Sequence, residues 1–155
     1  MRTLDGIDEV TAAVGEDLGA GDWHTVTQET VDKFADVTGD HQWIHVDAER
    51  AATGPFGGTV AHGYLTLSLL PMLARDVYEF AGMAMKVNYG LDKVRFPAPV
   101  RVGSRVRARV ALTGVETGSR GIRVTLRHTV ELDGTTAPGC VADTVALLVP
   151  PTGDR

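Results

Sequence analysis

Only one cysteine, Cys140, occurs in the chain. A single thiol closes no intramolecular disulfide and builds no thiolate-rich zinc site. Its place in an apolar run predicts an inert, packed side chain. Basic clusters are missing as well: no run of Lys and Arg interleaves with aromatics, which are 6% of residues, and the net charge is -5. That removes the electrostatic footprint of a nucleic-acid binder. Long apolar runs are also absent, none approaching the ~20 residues that span a bilayer. The amino end carries Asp5, Asp8, Glu9, Glu16 and Asp17 and lacks the apolar core of a secretory signal. The expectation is a cytoplasmic protein with neither membrane nor nucleic acid as partner.

What is present is ordinary globular material. The 155 residues, 43% hydrophobic and 23% charged, suit a single domain able to bury roughly two-thirds of its unfolded surface. That domain is expected over 1–155, with residues 1–22 as a polar amino-terminal extension (a short helix and a loop) and 150–155 as a tail. Trp23 to Val26 reads as a short strand. Thr27 is placed to cap a helix with Val31, Phe34, Ala35 and Thr38 on one face, and Gly39 to end it in the left-handed conformation. Asp47 should cap a further turn, Ala48 to Ala52. From Gly63 to about Phe80 the chain is Leu-rich on nearly every side, as in a buried helix, with Pro71 kinking it. The second half alternates. Met85 to Phe96, Val102 to Leu112, Ile122 to Leu132 and Cys140 to Val149 read as strands, with turns at Gly118–Gly121 and Asp133–Gly134. Helices followed by an antiparallel meander give an α+β fold, a curved sheet wrapped around one long central helix. Such a sheet has an edge to cover, and dimerisation is a common remedy.

The chemistry-bearing residues crowd into Gly39 to Gly63. Asp40 and His45 offer both halves of acid–base chemistry near neutral pH. The amide of Gly63, at the start of the Leu-rich helix, can stabilise a developing oxyanion, and Gly there admits a carbonyl close to the backbone. Together they point to proton transfer next to a carbonyl. Taken singly, an Asp after a helix-ending Gly is a turn former, and a lone His is a packing or hydrogen-bonding residue. His41 and His45 stand four apart beside Asp40, as in some metal sites, yet no further ligand is evident, so no metal is expected. His128, in an apolar phase, reads as a core or interface residue. His62 suits tying down the loop.

Asp40-x-x-x-x-His45, Ala61-His62-Gly63 and Val94-Arg95-Phe96-Pro97-Ala98-Pro99-Val100-Arg101-Val102-Gly103, in that order, resemble the MaoC-like (R)-specific enoyl-CoA hydratases of hotdog fold. The branch with Gly-Asp-His-Gln-Trp-Ile-His and Asn-Tyr-Gly-Leu is the most similar. The likeness runs from about Val26 to Val149. One departure is Gln42-Trp43 where the commoner pattern has Asn-Pro, which places Trp43 to narrow the substrate entrance. The resemblance implies reversible hydration of a trans-2-enoyl thioester to an (R)-3-hydroxyacyl thioester without a cofactor. Asp40 is the implied base and His45 the acid, or the reverse, on one shared water, with the Gly63 amide as oxyanion donor. It also implies Pro71 and Ala74 beside the acyl tail, His62 near the substrate, Arg95 or Arg101 along the CoA phosphates, and a homodimer forming the substrate tunnel. CoA and an acyl carrier protein remain open as carriers. Two rival readings stand beside it: a hotdog acyl-CoA thioesterase, and a non-catalytic acyl-thioester-binding protein.

Overall fold

Thr27 and Gly39 bracket α2 (Gln28–Thr38) as expected. The Thr27 hydroxyl oxygen accepts from the Thr30 amide at 3.2 Å, and Gly39 takes φ 75°. The cap satisfies one of the amides that a helix start leaves without a partner. Asp47 does the same for α4 (Ala48–Ala52), accepting from the Arg50 amide at 3.0 Å. Between them lies a single turn, α3 (Trp43–Val46). The computed structural model describes residues 1–119 and 121–151. Arg120 of the expected 118–121 turn and residues 152–155 of the expected tail lie outside the described residues.

The long strands stand where alternation places them. β5 (Met85–Arg95), β6 (Arg105–Gly118), β7 (Gly121–Leu132) and β8 (Cys140–Val149) join two short strands, β2 (Asp17–Ala20) and β3 (His24–Thr25). The sheet runs β2-β6-β7-β8-β5, with β3 also on β6, and every pairing in it is antiparallel. Register shifts in β2, β5 and β6 mark irregularities that bend the strands. Val106, Ala108, Val110, Leu112, Leu126 and Val130 face inward and are almost wholly buried. The alternate phase of β6 carries ion pairs outside, Arg107 and Arg109 both reaching Glu131, at 2.6 and 2.9 Å. Cys140 is buried, and desolvation pushes its thiol up to about 11, so it is an inert packed residue as expected.

Four expectations need correction. The segment 1–22 is strand, helix and strand: β1 (Arg2–Asp5), α1 (Gly6–Ala12) and β2. While Met1, Ile7 and Val14 stay exposed, Leu4, Val10, Ala13 and Leu18 of this segment are buried. Their strand partners lie far along the chain, β1 pairing in parallel with β4 (Tyr78–Ala81) and β2 with β6, so no local pattern announces them. The central helix does not reach Phe80. It is split into α5 (Gly63–Ser68) and α6 (Leu70–Leu73), with the break at Leu69, two residues before Pro71. Proline has no amide to donate and crowds the preceding turn. Beyond Ala74 the Arg2 amide binds the Val77 carbonyl at 2.8 Å and draws the chain into β4. Nor is the Leu-rich segment buried all round. Leu65, Leu70, Leu73 and Ala74 pack inward, while Tyr64, Ser68 and Pro71 are exposed. Lastly, Asp133–Gly134 begins a longer connection running to residue 139, with Gly134 at φ 79°. The whole is the hotdog arrangement, its sheet packed on a short, broken central helix. Among the described residues no helix is long and apolar enough to cross a membrane.

Candidate active site

The left-handed Gly39 turns the chain sharply out of α2, and Asp40 follows with its side chain 56% exposed. Five residues on, His45 sits in α3 and is buried. Its Nδ1 lies 2.6 Å from the Val60 carbonyl. A carbonyl only accepts, so Nδ1 carries the proton and Nε2 is left as the free position of the ring. Gln28 of α2 holds this arrangement from behind: its Nε2 donates to the His45 carbonyl at 2.7 Å, and its Oε1 accepts from the Thr59 hydroxyl at 2.6 Å. His45 is thus fixed by α2 and by residues 59–60 at once.

His62 ends the same loop. Its Nε2 donates to the Asp40 carbonyl at 2.9 Å, and its ring stacks on His45 with centroids 3.7 Å apart. The ring ties the Asp40 turn to the start of α5, while its buried Nδ1 has no partner among the described residues. Polar ligand atoms of Asp40, His45 and His62 all lie within 4.8 Å of one another. That spacing lets one small polar molecule touch two of them. The two rings are stacked, only 24° from parallel. One nitrogen of each ring is also committed to a carbonyl.

Gly63 is the first residue of α5, so its amide has no acceptor within the helix. A Cβ there would meet the Phe96 ring at 3.0 Å. With six residues in α5, the local N–H counts for more than any helix dipole.

Pro71 and Ala74 both line a cavity of about 890 Å³ between α5, α6 and the inner face of β5, β7 and β8. Asp40, His45 and Gly63 do not line it; the cavity starts at Leu67, one turn along α5. Its inner wall includes His128, whose ring is buried, and burial drives its pKa down to about 4 from the usual 6.5. The unfolded chain therefore takes up this proton first. Stability should be full above pH 6.5 and fall as the pH drops from there toward 4, by on the order of 3 kcal/mol. Urea melts of the wild type and His128→Leu across that window check this: the leucine variant should lack this part of the slope, and equal slopes would refute it.

Trp43 and Arg95 are not among the residues lining this cavity. Trp43 lies under the Arg50 guanidinium, 4.3 Å from its ring centroid, and against Gly54, where a Cβ would touch it at 3.0 Å. Arg95 folds onto the Val94 carbonyl at 2.6 Å, and Arg101 binds the Gly57 carbonyl at 2.6 Å. Reasoning from sequence did not single out Gln28, the Val60 carbonyl or Phe96 for the site. The first two carry no local signal; Phe96 stands in the Arg-Phe-Pro segment, whose role there is set by contact with Gly63.

Comparison with known proteins gives the family. The family described as MaoC like domain matches residues 9–133. The 3-hydroxyacyl-thioester dehydratase Z of Mycobacterium tuberculosis is 55% identical over 150 residues, covering 96% of this chain and 99% of that protein. Nodulation protein N of Rhizobium leguminosarum bv. viciae is 44% identical over 155 residues, covering 95% and 93%. The unliganded R-hydratase of Pseudomonas aeruginosa shares the fold, with a TM-score of 0.71 over 89% of this chain and 83% of that one, at 22% identity. The chain belongs to the MaoC-like dehydratase family, and is a hydro-lyase.

Proposed function

We propose that the protein adds water reversibly to a trans-2-enoyl thioester, giving an (R)-3-hydroxyacyl thioester. The observation that carries this reading is the approach of Asp40 and His45 to within 4.8 Å, with Nδ1 of His45 tied to Val60 and Nε2 left free. Two groups at that separation clasp one water, each at hydrogen-bond distance. The water oxygen bonds to Cβ while one of its protons passes to Asp40. The C=C electrons shift toward the thioester oxygen, and that same proton, handed from Asp40 to the bare Nε2 of His45, is delivered to Cα, so the net addition is one H and one OH and both side chains end as they began. The two side chains share the proton as a unit and can exchange roles. The Gly63 amide faces the charge that gathers on the thioester oxygen, a contribution of about 3 kcal/mol to the barrier.

Pro71 and Ala74, on the large cavity, are assigned to the acyl tail. His62 is assigned to holding the Asp40 turn beside the substrate. Trp43, with Arg50 stacked on it, borders the entrance, and Arg95 with Arg101 serves the phosphates of a CoA carrier. A homodimer completes the tunnel. In support, β5 pairs only with β8 among the described residues, and Met85, Val87, Tyr89 and Leu91 stand exposed on it. An apolar free edge of this kind calls for a partner strand. The cytoplasm is the proposed compartment, and no cofactor is required.

Crotonyl-CoA is the first substrate to test. Loss of the conjugated-thioester absorbance, with 3-hydroxybutyryl-CoA of R configuration as product, is the expected result. Release of free CoA without that product would favour a thioesterase, and binding without turnover a non-catalytic acyl-thioester carrier.

A further inference from the structure

His128 interrupts the apolar inner phase of β7 between Leu126 and Val130 and is only 4% exposed. A polar ring in a core phase needs partners for its nitrogens. Thr144, on the neighbouring strand, meets only one of them. Its hydroxyl donates to the Leu126 carbonyl at 3.4 Å, so its oxygen accepts from His128 Nδ1 at 3.3 Å. This network places the proton on Nδ1 and leaves Nε2 as a bare acceptor. Neither Nε2 nor the Tyr78 hydroxyl has a side-chain or backbone partner among the described residues. The one fully enclosed side-chain polar atom without a partner there is His62 Nδ1. The other two are therefore open to the cavity that both residues line, their ring centroids 6.3 Å apart.

We propose that this wall selects acyl chains bearing a hydroxyl group, with His128 Nε2 accepting the hydroxyl proton and the Tyr78 phenol donating to the hydroxyl oxygen. The inference rests on the hydratase reading, because it takes the cavity along Pro71 and Ala74 as the acyl channel. A wholly hydrocarbon tail would cover both polar groups and leave them unpaired, which is costly. A keto oxygen only accepts and would satisfy Tyr78 alone; a hydroxyl both donates and accepts. A carboxylate fits the wall poorly. Burial keeps the imidazole neutral, its pKa pushed down to about 4, and holds the phenol protonated, pushed up to about 12. The cations on this cavity, Arg75 and Lys86, are exposed.

The test compares kcat/KM for medium-chain trans-2-enoyl-CoA esters in three forms: unsubstituted, ω-hydroxylated and ω-carboxylated, with crotonyl-CoA as the reference. The wild type should prefer the hydroxylated ester over its unsubstituted twin by at least about tenfold at one or more chain lengths, as sites built to bind a hydroxyl do. His128→Leu should bring that ratio to one or below. Tyr78→Phe, which removes a single oxygen and keeps the ring, should lower it as well and serves if the leucine variant fails to fold. Crotonyl-CoA turnover without a hydroxyl preference, a ratio unmoved by both variants, or a preference for the carboxylated tail would overturn the proposal and leave the hydratase reading standing. No turnover of any enoyl-CoA would remove both.

Discussion

Asp40→Asn is expected to lower the rate of crotonyl-CoA hydration by about two to four orders of magnitude, with little change in the thermal midpoint. The carboxylate is more than half exposed; it accepts from the Gln42 amide at 3.4 Å, and its other oxygen lies 3.9 Å from Nε2 of His62. The isosteric amide keeps the turn and loses the base. His45→Gln should cost the rate a similar factor. Unlike Asp40, it should also cost stability, because the buried ring donates to the Val60 carbonyl and that acceptor loses its partner. The double variant should be scarcely slower than the worse single one, since two groups on one water act as a unit. Full activity in Asp40→Asn would end the assignment, and so would strict additivity of the two losses.

Gly63→Ala is the second large effect, expected to reduce kcat by about a hundredfold or more, the usual cost of losing one oxyanion donor. The added Cβ meets the Phe96 ring at 3.0 Å, and the ring has either to swing out or to hold the carbonyl away from the Gly63 amide. Because Phe96 is 43% exposed, it can give way, so the fold should survive while the carbonyl loses its close approach to the backbone. Single-turnover rates of Gly63→Ala and of Gly63→Ala/Phe96→Ala distinguish the two costs. Recovery in the double variant would assign the loss to the ring, and persistent loss to crowding at the amide itself.

Much of this architecture was legible because its causes are local. Thr27, Gly39 and Asp47 act on backbone groups within a turn of themselves, and the strand alternation of β6 to β8 is a period-two pattern that any inward-facing sheet requires. The misses have the opposite character. The strands at 2–5 and 17–20 are made by partners seventy-six to ninety-four residues away, and the end of the central helix is set by β1 capturing Val77. A Leu-rich run reads as helix as long as nothing competes for its backbone. Here a strand did.

The site divides in the same way. Asp40, His45 and Gly63 were singled out by residue type, spacing and family likeness, since acid–base chemistry at a carbonyl needs such groups and the chain carries them between residues 40 and 63. Sequence alone determined the reaction class, the family and the two side chains worth changing. Tertiary structure decided which nitrogen of His45 is free, that His62 stacks on it, that Phe96 lies over Gly63, and that His128 and Tyr78 line the same cavity as Pro71 and Ala74. Those are facts about distance between residues remote in the chain, and a sequence records which groups exist without recording which of their atoms are already spoken for.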